Sequence, residues 1–355
     1  MIGAALLMLS MSVKAGEKLS LFDITRGDFR QETLSEVHPM ADGETYAQIS
    51  ADGKRIVTYS FKTGKEVGVL FDAATARGAQ IGRVQGYIVS PDGRRLLIQT
   101  NTKPIYRHSF TAEYYIFMIQ NNKLEPLSDG GPQQTPVFSP DGNQIAFVRD
   151  NNIHLVKLLY DNAESQVTKD GKRNEIINGI PDWVYEEEFS TNSSMVFSAD
   201  SKQIIWIRYD ETDVPQYSMQ LFKGMYPEKP EYLEYPGFYT YKYPIPGKQN
   251  SKVKVLSYDI KSHQTRTIDL PLESDGYIPR IKMTNDPERI MIFTLNRHQD
   301  DLKIYMANPL STLAKLIIED KVDKYVKEET FEDVQISDKY ILLPSERDGY
   351  NHLYL

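Results

Sequence analysis

Short runs in which apolar and polar residues alternate recur along the chain, and many of them flank a turn built on aspartate. Tyr87–Val89 precedes one such turn, Leu96–Ile98 follows it, and Gln144–Val148 follows the next turn. Alternation with a period of two is typical of strands that bury one face. Asp-Gly suits a tight turn because glycine adopts positive φ without a steric penalty. The chain is therefore predicted to consist of antiparallel strands.

The aspartate turns recur six times, with 49 to 86 residues from one aspartate to the next. They lie at Ala41–Gly43, Ser90–Gly93, Ser139–Gly142, Ser198–Ser201, Thr284–Pro287 and, more weakly, Ile336–Lys339. Asp52–Gly53 is a competing turn in the first unit. Four strands with their turns need about 40–50 residues. We predict an all-β fold, a β-propeller of four-stranded blades over residues 36–355, preceded by an N-terminal segment at 16–35. A β-sandwich array is the alternative, but sandwiches do not repeat one turn sequence at a nearly constant spacing.

A segment rich in tyrosine and proline lengthens the fourth unit. Met225–Gly247 contains five prolines interleaved with six tyrosines. Each proline removes a donor from a strand ladder, so the segment is excluded from a central strand. We predict an arm that projects from the blade over about residues 211–250 and offers a protein interface; the alternative is a loop folded over its own blade. The charged stretch Glu319–Asp333 is predicted to be a solvated loop or a short helix.

The N-terminus has the features of a targeting segment. Ile2–Val13 is rich in Ala, Leu and Met and is followed by Lys14-Ala15-Gly16. About twelve apolar residues are too few to span a bilayer, but they are typical of the end of a secretory signal. Residues 1–15 are therefore predicted to be a signal-peptide remnant of an exported protein, periplasmic or extracellular, without a membrane span. The alternative is a disordered or buried N-terminus.

Charge and composition narrow the classes of partner and cofactor. The formal net charge is -8, with 49 acidic and 41 basic residues, and no run of Lys or Arg is dense enough to follow a phosphate backbone. Nucleic acid is therefore not predicted as a partner. The sequence contains no cysteine, which excludes disulfides and thiolate sites, and its six histidines lack zinc-type spacing. Neither a metal nor another cofactor is predicted.

Two short blocks combine aromatic and charged residues. Asp182–Phe189 reads Asp-Trp-Val-Tyr-Glu-Glu-Glu-Phe, and Tyr106–Ala112 reads Tyr-Arg-His-Ser-Phe-Thr-Ala. Aromatic side chains pack in the interior, whereas carboxylates need water or a cation. On pattern alone a glutamate triplet is usually a solvated turn, and the alternative is an edge that binds a cation.

In this order, the two blocks resemble those of the dipeptidyl peptidase IV family, most of all its bacterial, Bacteroidetes-like members. This family consists of serine exopeptidases that remove an N-terminal dipeptide, preferably with proline second, and it combines an eight-bladed propeller with an α/β-hydrolase domain. The resemblance implies that Glu187 and Glu188 bind the α-ammonium of the substrate and that Arg107 holds the carbonyl of its first peptide unit. It implies as partners the N-termini of Xaa-Pro peptides, the protein's own C-terminal hydrolase domain, and a second copy bound through the arm.

The role of the two glutamates sets a condition on the backbone. Adjacent residues of a strand point to opposite faces, so both carboxylates reach one ammonium only from a helix or an irregular segment. We predict a short helix at about Pro181–Glu188, anchored by Trp183 and Tyr185, with Glu186 facing away. His108 is left unassigned. Ile281-Lys282 stands where the family's mammalian member has a Phe-Arg pair, so the role of Ile281 is left open too.

The sequence lacks the residues for the hydrolytic step by this mechanism. A nucleophile elbow needs Gly-x-Ser-x-Gly, and the glycine pairs with this spacing enclose Glu66, Gln80 and Val84 instead of serine. No catalytic residue is therefore predicted in this chain, and the α/β-hydrolase domain is absent from it. With about six of eight blades and an end in a strand-like run, we expect a truncated product.

Two other functions stay open at this stage. One is a non-catalytic periplasmic propeller that serves as a scaffold, and the other is a relative that releases tripeptides. A scaffold has no reason to direct Arg107, Glu187 and Glu188 into one cavity, so the arrangement of these three side chains separates it from the peptidase. A tripeptide-releasing relative differs only in the distance between the amine site and the nucleophile.

Overall fold

The computed structural model describes residues 20–27, 31, 36–222, 235–337 and 339–355. Among them are six β-sheets of three to five strands and one separate two-stranded hairpin. The prediction of an all-β propeller with six units is confirmed. The predicted signal remnant at 1–15, most of the segment 16–35 and the centre of the arm lie outside the described residues.

The first three sheets follow the short helix α1 (Leu21–Arg26). The first consists of β1 (His38–Pro39), β2 (Thr45–Ile49), β3 (Arg55–Ser60) and β4 (Glu66–Asp72). The second consists of β5 (Arg77–Gly78), β6 (Gly86–Val89), β7 (Arg95–Pro104), β8 (Phe110–Met118) and β9 (Lys123–Pro126). The third consists of β10 (Gln134–Phe138), β11 (Gln144–Arg149), β12 (Asn152–Lys157) and β13 (Ala163–Gln166). Consecutive strands pair antiparallel except β5, which pairs parallel to β9.

The later sheets carry two more helices and the arm. After β14 (Ile176–Asn178) come helix α2 (Trp183–Glu188), β15 (Met195–Phe197) and β16 (Gln203–Asp210). The hairpin strands β17 (Gln216–Leu221) and β18 (Gly237–Lys242) precede β19 (Lys252–Asp259) and β20 (Gln264–Thr267), which complete the fourth sheet. The fifth sheet consists of β21 (Tyr277–Met283), β22 (Ile290–Leu295), β23 (Asp301–Ala307) and β24 (Ala314–Lys321). Helix α3 (Glu328–Glu332) and a sheet of β25 (Gln335–Ile336), β26 (Ile341–Ser345) and β27 (His352–Tyr354) follow. The charged stretch Glu319–Asp333, predicted to be a solvated loop or a short helix, contains helix α3, but its first residues belong to strand β24 and Asp320 is buried.

The aspartate turns that begin with serine, at Ser50, Ser90, Ser139 and Ser198, share one set of hydrogen bonds. The Ser90 hydroxyl donates to Asp92 over 2.6 Å and accepts from the Arg95 amide over 2.9 Å. Ser50 does the same with Asp52 and the amide of Arg55, also at 2.6 and 2.9 Å. Gly53 and Gly93 adopt φ of 70° and 68°, which a residue with a Cβ rarely adopts. The competing turn Asp52–Gly53 therefore has the same local chemistry as the later turns.

Neighbouring blades are tied together at these turns. The Arg95 guanidinium of the second sheet donates to the Gly142 carbonyl of the third over 3.0 Å. The Gln144 amide of the third sheet donates in turn to the Ser201 carbonyl of the fourth over 2.9 Å. Because backbone carbonyls accept these bonds, each contact fixes one blade against the next whatever side chain the turn carries.

The largest hydrophobic core extends from the third to the sixth sheet, and α2 is part of it through Val184, Tyr185 and Phe189. Its largest fully buried side chains are aromatic, among them Trp206 and Tyr209. A short helix is thereby held on rigid strands rather than on a free loop, which favours a fixed placement of its polar residues. Within the described part of the chain, no helix has the length and apolar character needed to cross a membrane.

Candidate functional site

Helix α2 begins where the glutamate block was predicted to become helical. Asp182 is its N-cap, and its carboxylate accepts the Tyr185 amide over 2.9 Å and the Ser251 hydroxyl over 2.5 Å. An N-cap carboxylate satisfies a backbone donor that has no partner inside the helix. The predicted helix at about Pro181–Glu188 is confirmed.

Two aromatic residues anchor α2, as the sequence predicted. Tyr185 is fully buried, and its hydroxyl accepts the Ile278 amide of the fifth sheet over 3.0 Å. Trp183 is half-buried and packs on Tyr243 beyond the hairpin, with ring centroids 4.2 Å apart. Tyr185 therefore fixes the inner face of the helix, and Trp183 connects its first turn to the arm.

Arg107 reaches α2 from a loop between β7 and β8. Its Nε donates to Glu187 Oε2 over 2.8 Å, although 80 residues separate the two in the chain. The Arg107 side chain is 70% exposed, while that of Glu187 is 17% exposed. The predicted proximity of Arg107 to the glutamate block is confirmed for Glu187.

Glu186 does not face away from the Arg107 loop, and that prediction is wrong. Its carboxylate is buried, and Oε1 accepts the amides of His108 and Ser109, each over 2.7 Å. These charge-assisted bonds hold the loop against the helix directly after Arg107. The physical reason is the 100° step of a helix, which turns Glu186 toward the loop when Glu187 faces the Arg107 side chain. No signal in the sequence distinguishes the three glutamates in this respect.

Glu188 is exposed at the end of α2, and within the described residues no hydrogen bond or ion pair engages its carboxylate. The structure therefore brings Arg107 and Glu187 together and leaves Glu188 beside them as an open carboxylate. His108 contributes its backbone amide to the site, while its side chain is exposed. Ile281 is buried in the core, so it belongs to the packing of the fifth sheet.

The C-terminal end of α2 is held by Arg280, a residue that the sequence analysis did not single out. Its guanidinium donates to the Phe189 carbonyl, to Glu328 over 3.3 Å and to Glu332 over 2.6 Å. It also lies over the Phe331 ring, 5.4 Å from the centroid. Arg280 thus joins α3 to the end of the glutamate helix.

A cavity of about 500 Å3 lies behind the Arg107 loop and beside α2. Glu186 and Glu211 line it together with Tyr106 and Tyr239, whereas Arg107, Glu187 and Glu188, which were expected to face one cavity, do not line this one. Glu211 is 6% exposed. Burial, with the nearby charge of Asp182, raises the pKa of Glu211 to about 7, against the opposing effects of Lys242, the Asn174 amide and Arg173. Glu211 directly follows strand β16 and belongs to no sequence motif, so the sequence does not indicate a role for it.

This raised pKa predicts a stability that falls as pH rises. A carboxyl that holds its proton more tightly in the folded state stabilises the fold below its unfolded pKa of about 4.3, and the benefit is lost as pH rises through about 7. Glu211→Gln mimics the protonated form. The variant should match the wild type at pH 4 and exceed its unfolding free energy by about 3 kcal/mol at pH 8.

Urea unfolding at the two pH values measures this difference. Glu273→Gln, at an exposed position, serves as the control and should track the wild type at both. Equal stability of Glu211→Gln and wild type at pH 8 would show that Glu211 is ionised without penalty in the fold.

Among the residues that the structure describes, no group of three or more His, Asp or Glu side chains is placed to hold a metal ion. Of the glutamates of α2, Glu186 accepts backbone amides and Glu187 pairs with Arg107.

The chain matches one sequence family over most of its length. The profile described as "Dipeptidyl peptidase IV (DPP IV) N-terminal region" covers residues 90–355. The probable dipeptidyl-aminopeptidase B of Emericella nidulans is 37% identical over 238 residues, which are 64% of this chain and 26% of that protein. The protein of the same description from Tuber melanosporum is 31% identical over 330 residues, 86% of this chain and 36% of that protein. The chain therefore spans about a third or less of these relatives.

Solved structures show the same relationship. The crystal structure of Porphyromonas gingivalis dipeptidyl peptidase 4 is similar with a TM-score of 0.90 and 37% identity, and the match covers 96% of this chain and 47% of that one. A putative dipeptidyl aminopeptidase IV from Bacteroides ovatus shares the fold, with a TM-score of 0.66 and 18% identity over 91% of this chain and 42% of that one. The chain belongs to the dipeptidyl peptidase IV family and corresponds to its N-terminal region.

Proposed function

We propose that this chain is the substrate-gating N-terminal propeller of a serine-type dipeptidyl peptidase and that α2 binds the free N-terminus of a peptide. The Arg107–Glu187 contact, with Glu188 open beside it, carries the proposal. Two carboxylates on successive positions of a short helix can replace the water around one ammonium group. Two carboxylates and one guanidinium suit the ammonium and carbonyl groups of a peptide N-terminus better than the surface of a folded protein partner.

A substrate ammonium can bind between Glu187 and Arg107 at a small cost in free energy. The pair is largely exposed on the arginine side, and exposed ion pairs contribute only about 0–1 kcal/mol. An incoming ammonium therefore competes with a weak contact. A guanidinium has five N–H donors, so Arg107 can keep its Nε bond to Glu187 and offer the remaining donors to a peptide carbonyl.

A fixed amine position accounts for removal of a dipeptide. When the ammonium is held at α2, the peptide bond that reaches a nucleophile is set by the distance between the two sites. In this proposal the nucleophile belongs to an α/β-hydrolase domain outside the present sequence, and an Xaa-Pro dipeptide is released. That domain is the first partner of the propeller.

Two further assignments belong to this proposal. The apolar segment at residues 2–13 supports export to the periplasm or the cell surface. The hairpin β17–β18 supports a homodimer formed through the arm, since it exposes Tyr217, Met219 and Phe238. Gel filtration of the full-length protein and cell fractionation test these two assignments.

Arg107→Ala in the full-length protein should weaken catalysis without moving the cut. Loss of a hydrogen bond from a charged group to the substrate carbonyl costs about 1.5–3 kcal/mol, or about 10- to 100-fold in kcat/KM. The ammonium site stays in place, so the product should remain a dipeptide. Kinetics on Ala-Pro-p-nitroanilide and mass spectrometry of a peptide that begins Ala-Pro measure both effects.

Arg94→Ala is a matched control, because Arg94 is an exposed arginine at a turn of the same blade. It should leave both measurements unchanged. Release of a tripeptide by Arg107→Ala, or normal kinetics, would contradict the role assigned to Arg107.

A further inference from the structure

Hairpin β17–β18 stands apart from the blades in its backbone bonding. Its strands pair with each other from Gln216↔Lys242 to Leu221↔Gly237, and the described residues form no ladder between this sheet and a blade. Its position therefore depends on side-chain contacts and on its two connecting segments. The contacts that bear on the candidate site are made by two aromatic residues, Tyr241 in β18 and Tyr243 directly after it.

These aromatic residues touch both halves of the candidate amine site. Tyr241 lies 5.7 Å from Tyr106, centroid to centroid, and Tyr106 directly precedes Arg107. Tyr243 lies 4.2 Å from Trp183, one helical turn before Glu187. The rings of Tyr241 and Tyr243 contact each other at 6.0 Å in an edge-on arrangement. A continuous row of rings thus connects the arginine loop to the glutamate helix across the hairpin.

Two cationic side chains hold the hairpin that carries this row of rings. The Arg173 guanidinium donates to the Thr240 carbonyl over 2.9 Å and lies over the Tyr239 ring at 5.4 Å. The Lys242 ammonium donates to the carbonyls of Thr212 and Val214 over 2.9 and 2.8 Å. These bonds fasten the stem of the hairpin to neighbouring segments of the chain. Tyr241 and Tyr243 are therefore held at defined positions and not free to turn away from the site.

We propose that Tyr241 and Tyr243 are positioning residues of the amine site, which set the distance between Arg107 and the α2 glutamates by packing on Tyr106 and Trp183. The inference rests on the proposed function, since it assigns the residues that keep that site in shape. The charge of Glu187 contributes, after burial and the neighbouring tyrosines, to a raised pKa of Tyr241, as expected if this ring borders the carboxylate. Ring contacts of this kind are modest individually and restrict geometry through their preferred tilts.

The test measures recognition of the amine rather than activity alone. In the full-length protein, kcat/KM is determined for Ala-Pro-p-nitroanilide and for propionyl-Pro-p-nitroanilide, which differs only by lacking the α-amine. Tyr241→Ala and Tyr243→Ala should each lower the ratio of the two values by about 3- to 10-fold. Tyr241→Phe and Tyr243→Phe keep the rings and should retain the ratio. Tyr160→Ala, at an exposed tyrosine of the third blade, should not change it.

The possible outcomes distinguish failure of this inference from failure of the proposed amine-binding function. An equal fall in activity on both substrates would mean that the rings only stabilise the fold, and an unchanged ratio would mean that they do not act on the site; either result overturns the inference. A wild-type ratio near one would instead remove the amine-binding function itself.

Fluorescence gives a second readout that needs no catalysis. It is recorded on the present chain, which has two tryptophans; Trp206 is buried with its indole N–H bonded to Asn178, so Trp183 reports on the site. Tyr243→Ala should shift the Trp183 emission to longer wavelength, whereas Tyr243→Phe should not. An unshifted spectrum for Tyr243→Ala would show that the hairpin does not pack on α2 in solution.

Discussion

Glu187→Ala should lower kcat/KM of the full-length protein on Ala-Pro-p-nitroanilide by about 100- to 1000-fold. In the proposed complex Glu187 pairs with a desolvated substrate ammonium, and truncating one partner of such a hydrogen-bonded charge pair costs about 2–5 kcal/mol. The substitution removes the carboxylate that faces Arg107 and would hold the substrate ammonium at 17% exposure. Initial-rate kinetics measure the loss, and propionyl-Pro-p-nitroanilide should be affected far less because it has no amine to lose.

Two further variants sharpen this result. Glu188→Ala should also cause a large loss, since the proposed function makes the open carboxylate at the end of α2 the second ligand for the ammonium. Glu329→Ala removes an exposed glutamate from the short helix α3 and should leave kcat/KM unchanged. Near-normal turnover by Glu187→Ala would rule out the amine site on α2.

Glu186→Ala should lower the unfolding free energy by about 3 kcal/mol. The substitution leaves the amides of His108 and Ser109 without their acceptor, and each buried unsatisfied donor costs about 1–3 kcal/mol. Glu186→Gln keeps an acceptor oxygen at the same place and should lose about 1 kcal/mol, the difference between a charged and a neutral acceptor. Urea unfolding followed by circular dichroism measures both variants.

The exposed neighbour supplies the control for this measurement. Glu188→Ala changes the same helix by the same atoms but should stay within about 0.5 kcal/mol of the wild type. If Glu186→Ala and Glu188→Ala were equally stable, the two short bonds to the Arg107 loop would contribute nothing to the fold.

The propeller and the glutamate helix were predictable because their signals are local. Three of the turns combine a serine, an aspartate and a glycine within four residues, and the hydrogen bonds at Ser50 and Ser90 use only neighbours in the chain. The helix followed from the need to bring Glu187 and Glu188 to one side of the backbone. Short added strands such as β5 and β15 carry too few residues to form a periodic pattern.

The supporting residues of the site could not be predicted, since their roles come from tertiary contacts. Glu186 is one of three consecutive glutamates, and only the folded structure shows that its carboxylate accepts backbone amides from a loop about 80 residues away. Glu211 acquires its raised pKa from burial and from Asp182, neither of which a single sequence position reveals. The role of Arg280 could not be predicted because its partners, at the end of α2 and in α3, are distant in the sequence.

The separate pairing of β17 with β18 affects how this protein can diverge. No blade loses a strand when the hairpin changes, because its ladder closes on itself in the described residues. Lengthening its end adds little loop-closure entropy, about 0.6 kcal/mol for each doubling of a flexible loop. Insertions and deletions at the hairpin's end can therefore accumulate during evolution while the blades keep their strand register. Relatives can acquire new surfaces at this end, provided that the row of tyrosines at its base is preserved.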